Sequence, residues 1–290
     1  MKIILSRKGF DSSAGGIACP IMPDGRLLSL PIPQADGPVK FSQLSFQGKS
    51  ISSLIKQLGC KEWRSGCHLD PDLMPELIER PEGWYPALGQ HGAAQRHLET
   101  EGVGSGDLFL FFGWFRQTEW FKGKLRFVAD APDLHLLYGW LQIDRVVKEE
   151  QLTAEHFPEL GLHPHLVKAF QHNGLYLPKN KLVLNGAETE FPGAGFFTHF
   201  NAQQEHKGQP IQQLTFPGEK RTVWQLPECF WPENCGKVLS YHRKLERWIK
   251  RDDRLLLQSA FRGQEFVLES NQPDQVKAWL NKLFSAEESA

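Results

Sequence analysis

A polar, glycine-rich loop follows the first apolar segment of the chain. It spans residues 6–16 and contains two cations, three hydroxyls and three glycines. Backbone amides and side-chain donors grouped in this way can surround an anion, although the segment matches neither the P-loop nor the dinucleotide fingerprint. The alternative is a strand-end turn in which Ser and Asp side chains satisfy backbone groups. The predicted phosphate-binding residues are Ser6, Arg7, Lys8, Ser12, Ser13, Gly15 and Gly16.

The candidates for proton transfer are one carboxylate and two imidazoles. Asp11 is the one carboxylate in the loop and could accept a proton or hold a metal-bound water. His68 lies beside Cys67, and His165 belongs to a His-Pro-His triplet; such imidazoles can relay protons. In an enzymatic mechanism we expect Asp11 to act as base or metal anchor, with His68 or His165 as its partner.

The sequence gives no clear metal site. Cys60 and Cys67 are separated by six residues and Cys229 and Cys235 by five, and neither spacing fits a usual zinc pattern. We therefore expect reduced, unliganded thiols and assign no metal ligands, and the sequence leaves any cofactor open. The stretch 68–72, His-Leu-Asp-Pro-Asp, is the only dense acidic site with a histidine in the sequence. If the protein is a DNA hydrolase or nuclease, this stretch would have to supply its acidic residues.

Aromatic residues are concentrated between positions 109 and 140, where they alternate with Arg and Lys. A flipped or free nucleobase needs a flat apolar clamp, and stacking contributes about 1–3 kcal/mol per base. The alternative is that these side chains are core. The predicted base-binding residues are Trp114, Arg116, Tyr138 and Trp140.

The elements that would position these groups are mostly strands. Residues 108–115 and 134–147 are predicted to be buried strands, the second interrupted by a bulge or bend at Gly139, and residues 125–129 are expected to pair back. Helical spacing is found over 50–58, 93–101, 152–172, 238–250 and 273–284, and the His-Pro-His triplet at 163–165 breaks the 152–172 run into two pieces. These patterns predict an α+β fold with a mixed, largely antiparallel sheet or a small β-barrel, and peripheral helices.

Composition limits the domain organisation and the partners. The 290 residues favour one composite domain, with a β-rich subregion at 104–150 and a helical part at 235–290. Lys and Arg total 33 against 34 Asp and Glu, so the composition argues against a whole-protein positive surface for duplex DNA and leaves a local basic patch open. No signal peptide and no apolar run of membrane-spanning length is found, so we expect a cytoplasmic protein that does not contact a membrane.

Several unusual segments of the sequence resemble the nucleotide modification associated domain 3 family. They are MKIILSRKGFDSSAGG at 1–16, GDLFLFFGWFR at 106–116 and YGWLQI at 138–143, together with the His-Pro-His triplet at 163–165. The resemblance implies a link to systems that modify nucleobases or nucleotides, often in phage and mobile-element conflict. Gly106-Asp107 and the 138–143 segment also look like strands of PUA-like barrels, including the EVE and ASCH groups, which hold a nucleobase in an aromatic pocket.

These observations leave three functional hypotheses. The first is a protein that binds a nucleotide or a modified base in nucleic acid, as modifying enzyme or reader, with residues 7–16 holding phosphate and residues 106–143 supplying the stacking wall. The second is a non-catalytic subunit that contacts a protein partner in a modification or defence complex. The third is a DNA hydrolase or nuclease.

Overall fold

The computed structural model describes residues 1–61, 65–184 and 186–288, which form short helices around extended sheets. The helices are α1 (Ile51–Gln57), α2 (Gly92–Thr100), α3 (Pro164–Val167) and α4 (Pro273–Glu288). The strands are β1 (Ile3–Arg7), β2 (Cys19–Ile21), β3 (Ile32–Pro33), β4 (Val39–Lys40), β5 (Ser45–Phe46), β6 (Lys49–Ser50), β7 (Gly66–His68), β8 (Leu88–Gln90), β9 (Leu108–Phe121), β10 (Lys124–Phe127), β11 (Leu134–Lys148), β12 (Gly174–Pro178), β13 (Lys181–Leu184), β14 (Ala187–Pro192), β15 (Ala194–Phe196), β16 (Glu205–His206), β17 (Gln209–Pro210), β18 (Val223–Leu226), β19 (Cys235–Lys237), β20 (Trp248–Arg251), β21 (Arg254–Gln258) and β22 (Glu265–Ser270).

One ten-stranded sheet organises the molecule. Its main path is β19-β22-β1-β9-β11-β12-β8, and β2, β10 and β15 attach to β9 and β11. Strand β1 runs parallel to β9 and antiparallel to β22, while β9 and β11 pair antiparallel. The predicted α+β class with a mixed, largely antiparallel sheet is therefore confirmed, and across the described ranges the sheets do not close into a barrel.

The sheet separates two apolar cores because successive side chains of a strand face opposite sides. In β1, Ile4 packs in one core while Ile3 and Leu5 pack in the other. Strand β9 repeats this pattern, with Phe109 and Phe111 on the side of Ile4 and with Leu110 and Phe112 on the side of Leu5. The continuous apolar run of β9 is thus explained by burial on both faces.

The predicted irregularity at Gly139 is a β-bulge in β11. Leu137 pairs with Phe112 and Gly139 with Phe111, so one residue of β11 is left over between the two pairs. A Cβ at Gly139 would lie 2.6 Å from Leu73 Cδ1 and 2.9 Å from the Gly195 carbonyl oxygen. The close approach of β15 therefore excludes a side chain at this position.

The loop after β1 is anchored by its aromatic residue. Phe10 is fully buried, and a Cβ on Gly15 would lie 2.2 Å from its ring. Gly15 also has φ +86°, which favours glycine. The strand β2 that follows runs parallel to β9, with Pro20 opposite Arg116. The loop is consequently held against the second half of β9.

Two helical predictions are wrong. Residues 238–250 form no α-helix but a 3-10 turn at Leu245–Arg247 and then β20, and Tyr241, whose φ is +65°, would break a helix. Tertiary pairing overrides the helical spacing, because Trp248 of β20 pairs with Leu257 of β21. Helical structure in residues 235–288 is thus concentrated in α4, as predicted for 273–284, apart from short 3-10 turns.

The second wrong prediction concerns residues 152–172, where only the four-residue α3 and a 3-10 turn at Pro158–Leu160 are helical. Helices α1 and α2 lie within a residue or two of the predicted spans. Among the helices described here, none has the length and apolar content to cross a membrane.

Candidate functional site

A cavity of about 230 Å³ lies where the loop after β1 faces the second half of β9. We call it the arginine cavity. Residues predicted from two distant segments meet there, since the loop supplies one wall and Trp114 of β9 another. Its polar and aromatic lining consists of Arg7, Phe10, Asp11, Ser12, Ser13, Trp114, His135, Arg221, Thr222 and Phe261.

Arg221 ties the two walls together. Its guanidinium carbon lies 3.9 Å from the centre of the Trp114 ring, and its Nη2 donates a hydrogen bond of 2.6 Å to Ser12 Oγ. The indole is itself fixed, because Trp114 Nε1 donates to Asp133 Oδ1 at 2.9 Å. The result is a cation stacked on a flat, partly exposed ring at the cavity wall.

Arg7 supplies a second cation. Its Nη1 and Nη2 donate to the carbonyl oxygens of Phe261 and Ala260, both at 3.0 Å. Burial lowers the pKa of Arg7; the charge of Asp11 opposes this, and the nearby charge of Arg221 adds to it. Two guanidinium groups that repel each other at one cavity favour a bound anion.

His135 is neutral in this setting. Burial, followed by the charges of Arg7 and Arg221, holds its pKa well below the usual value. Its Nδ1 accepts a hydrogen bond of 3.0 Å from Trp224 Nε1, so the remaining ring proton is assigned to Nε2. A neutral imidazole with a donor nitrogen can recognise an acceptor without adding charge.

Asp11 shapes the loop. Its Oδ1 accepts hydrogen bonds from the Ser13 amide and hydroxyl, both at 2.7 Å, and from the Ala14 amide at 2.8 Å. These contacts are those of a strand-end turn, the alternative that the sequence left open. Asp11 still borders the arginine cavity, but the structure does not bring it together with His68 and His165, which line a different cavity.

The second cavity, of about 260 Å³, adjoins the first at Arg7. We call it the histidine cavity. It contains the carboxylate of Asp70, which the sequence analysis considered only as part of a nuclease site. Its lining includes Arg7, Lys8, Gln34, His68, Asp70, Gln90, His91, His165 and Phe170.

Asp70 is buried but ionised. Burial alone would raise the pKa of its carboxyl, yet the adjacent imidazole of His163 and the charge of Lys8 hold it well below the usual value. The Gly89 amide donates to Asp70 Oδ1 at 2.6 Å, and His163 Nε2 lies 3.2 Å from the same oxygen. A fixed anion thus lies beside the histidines.

His68 presents Nε2 toward this anion, and the ring of His165 lies beside the ring of His68. The Nδ1 atoms lie 2.9 Å from Gln34 Oε1 and 2.6 Å from Asn173 Oδ1, and an amide oxygen requires a donor, so the ring protons are assigned to Nδ1. Burial is the main cause that lowers the pKa of His165, to about 3. One ligand atom from each of His68, Asp70 and His165 lies within 4.8 Å of the others, so these residues could hold a metal ion.

Asp72, the other carboxylate of the 68–72 stretch, is used elsewhere. Arg80 donates from both Nη atoms to its two oxygens, at 2.5 and 2.6 Å. Because Arg80 occupies both oxygens of Asp72, Asp70 is the carboxylate that this stretch contributes to the site.

Lys8 and Ser6 do not line the arginine cavity. Lys8 is 6% exposed and its Nζ lies 3.2 Å from Oε1 of Glu265, which is 1% exposed and also accepts a hydrogen bond from Gln90. Ser6 is fully buried within β1. Gly15 packs on Phe10 and Gly16 is exposed, so these two glycines allow the backbone to turn in this loop and do not line the arginine cavity.

The other predicted base-binding residues also lie outside the arginine cavity. Trp140 is buried in the core, where its Nε1 donates to the Pro192 carbonyl at 2.9 Å. Tyr138 packs between the core rings of Phe111 and Phe115. Arg116 donates to the Val128 carbonyl. The structure therefore assigns most of the aromatic excess to packing, and Trp114 to a cavity.

Arg221, His135 and Phe261 were missed by sequence reasoning. They carry no motif, and they reach the loop through sheet pairing and core packing across more than a hundred residues. Asn173 and Gln34, which orient the histidines, were missed for the same reason.

A sequence model of the nucleotide modification associated domain 3 family matches residues 2–269. The matched range includes every residue that lines the two cavities. No curated protein and no solved structure matches the chain.

Proposed function

Because the chain belongs to the nucleotide modification associated domain 3 family, we propose that it binds a nucleotide, or a modified base in nucleic acid, in the arginine cavity. The family ties the chain to nucleotide modification. The proposal adds the place of binding and the chemistry of recognition.

The observation that carries the proposal is the Arg221–Trp114 stack beside Ser12. A guanidinium plane and an indole are both surfaces on which a nucleobase stacks, and stacking tolerates any base. Phe261, which is 83% exposed at the same cavity, adds a second ring that a base can contact. The volume of 230 Å³ is below the range of about 300–1,000 Å³ typical of drug-sized ligands, which favours a single base over a longer segment.

Phosphate recognition follows from the two arginines. Arg7 and Arg221 carry the positive charge, and the Ser12 and Ser13 hydroxyls lie beside them. Hydrogen bonds from a guanidinium to a phosphate are charge-assisted and about twice as strong as neutral ones. The near-zero net charge of the chain does not oppose this, since one phosphate needs only local cations.

Isothermal titration tests the proposal directly. Mononucleotides and single-stranded oligonucleotides, with and without modified bases, are titrated at low and at physiological salt. We expect at least one to bind, with an affinity that falls as salt rises. Absence of binding to all of them, with a folded protein, would overturn the proposal.

A protein-interaction role is the second candidate, and it is favoured by a group of exposed apolar side chains. Four such side chains lie between positions 241 and 261. Exposed apolar side chains that form a patch are typical of an interface. Light scattering of the purified protein, alone and with host lysate fractions, distinguishes an obligate complex from a monomer. The four residues are Tyr241, Leu245, Ile249 and Phe261.

A further inference from the structure

We propose that His68, Asp70 and His165 bind one divalent transition-metal ion in the histidine cavity. The ligand atoms would be the Nε2 atoms of the two histidines and Oδ2 of Asp70. All three residues are at least partly buried, and their donor atoms lie within 4.8 Å of one another. The inference does not depend on nucleotide binding at the arginine cavity.

The first argument is the mismatch between His68 and Asp70. Their facing atoms, Nε2 and Oδ2, are 3.8 Å apart, which is beyond hydrogen-bond length. With the His68 proton on Nδ1, where it meets Gln34 Oε1, the atom that faces Asp70 is a lone pair. A lone pair and a carboxylate oxygen repel each other, and a cation between them converts the repulsion into two bonds.

The second argument is the support around each ligand. A metal-binding histidine usually donates its other ring N–H to an oxygen, which fixes the tautomer and the ring orientation. Here Gln34 and Asn173 accept those protons, and Asn173 is itself fixed because its Nδ2 donates to the His165 carbonyl at 2.9 Å. The Gly89 amide holds the other oxygen of Asp70 and leaves Oδ2 for the ion.

The third argument concerns the kind of ion. Imidazole suits Zn²⁺ and Fe²⁺, and two imidazoles with one carboxylate leave coordination positions open toward the cavity, as catalytic sites do. Tetrahedral ligands at zinc distances are about 3.4 Å apart. The His68–Asp70 separation must therefore close by about 0.4 Å on binding, and the widest pair of ligand atoms by at most about 1.4 Å.

The histidine cavity could bring such an ion close to a bound nucleotide. Arg7 lines both cavities, so a ligand in one is separated from the other by the end of β1. A divalent ion with open positions can polarise a phosphoryl or carbonyl oxygen or activate a water molecule. This would place the ion, and not Asp11, at the reactive centre.

Metal binding is measured on untagged protein after treatment with a chelator. Zn²⁺, Mn²⁺ and Fe²⁺ (anaerobically) are titrated by calorimetry, and Co²⁺ provides a visible absorption spectrum that reports its ligands. We expect one ion per chain. His68→Ala and His165→Gln should each lower the affinity at least tenfold, and Gln34→Ala about tenfold through the orientation of His68.

His156→Ala is the matched control, because His156 is exposed and contacts Thr153. Trp114→Ala is the second control and should leave metal affinity unchanged even if it abolishes nucleotide binding. Circular dichroism shows whether each variant is folded. Absence of stoichiometric binding to the wild-type protein, or binding that His68→Ala and His165→Gln leave unchanged, would overturn the proposal.

Discussion

The Arg221 guanidinium lies over the Trp114 indole, with 3.9 Å between its central carbon and the ring centre. Arg221 precedes β18 and Trp114 belongs to β9. The two segments meet because Trp224 of β18 reaches the central sheet, donating from Nε1 to His135 Nδ1 and to the Arg221 carbonyl. The same bonds that hold β18 in the core therefore also place a cation at the arginine cavity.

Arg221→Gln should weaken the binding of a phosphate-bearing nucleotide by about ten- to a hundredfold, because a hydrogen bond to a charged group contributes about 1.5–3 kcal/mol. The salt dependence of binding should also decrease, since one cation fewer is involved. Arg254→Gln is the control, as Arg254 lies over Phe216 outside the arginine cavity. Titrations at two salt concentrations measure both effects, and equal losses in the two variants would contradict the assignment.

Trp114→Ala should weaken binding by about 1–3 kcal/mol through lost stacking, with little change in melting temperature because the ring is partly exposed. Trp114→Phe keeps a flat ring and should retain most of the affinity. Trp140→Ala provides the contrast: its ring is buried, and removing it should cost about 3–5 kcal/mol of stability. A large fall in melting temperature for Trp114→Ala would identify Trp114 as a core residue.

The parts of the fold that the sequence predicted well are those dictated by local pattern. The apolar run of β9, the irregularity at Gly139 and the amphipathic spacing of α4 each follow from neighbouring residues. Residues 238–250 have equally good helical spacing, but they form a 3-10 turn and the start of β20 instead, because β21 offers hydrogen bonds and a packing surface. Local spacing cannot reveal such a partner.

The sequence predicted which types of reactive residue belong to the candidate site, but it did not predict which residues contact each other there. Asp11 and His165 were both recognised as reactive groups, but the fold puts them in separate cavities. His165 meets Asp70, whose orientation depends on the Gly89 amide of β8. Which carboxylate faces which histidine is decided by the packing of β7, β8 and α3, and no spacing in the sequence encodes it.

Lys8→Met should destabilise the protein by about 3–5 kcal/mol, because it leaves the carboxylate of Glu265 buried without its cation. The double variant Lys8→Met, Glu265→Gln removes both charges and should recover part of the loss. Lys250→Met is the control, since its partner Glu228 is at the surface and such pairs contribute about 0–1 kcal/mol. Urea unfolding measures the three free energies, and a loss below about 1 kcal/mol for Lys8→Met would show that the pair is not coupled.

His242 makes the stability of the arginine cavity depend on pH. Its Nδ1 lies 2.8 Å from the Ser240 carbonyl oxygen, and its Nε2 accepts a hydrogen bond from the Ala260 amide at 2.8 Å. A second ring proton, on Nε2, would therefore point at the Ala260 N–H and break this bond. Burial, and then the charges of Arg247 and Arg7, lower its pKa from 6.5 to about 4. Between pH 6.5 and about pH 4, His242 therefore binds a proton in the unfolded chain but not in the folded chain.

The stabilisation is thus complete above pH 6.5 and is lost as the pH falls toward 4, at up to about 1.4 kcal/mol per pH unit. His242→Gln, whose amide oxygen can accept the Ala260 N–H, removes this titration. Other buried histidines add to the slope in both proteins, so the difference between the two slopes isolates His242. Urea unfolding at intervals from pH 7 to pH 4.5 should show the shallower slope in the variant, and parallel curves would contradict a neutral His242. Because the Ala260 carbonyl also accepts from Arg7, acid that protonates His242 should loosen this arginine before the sheet unfolds.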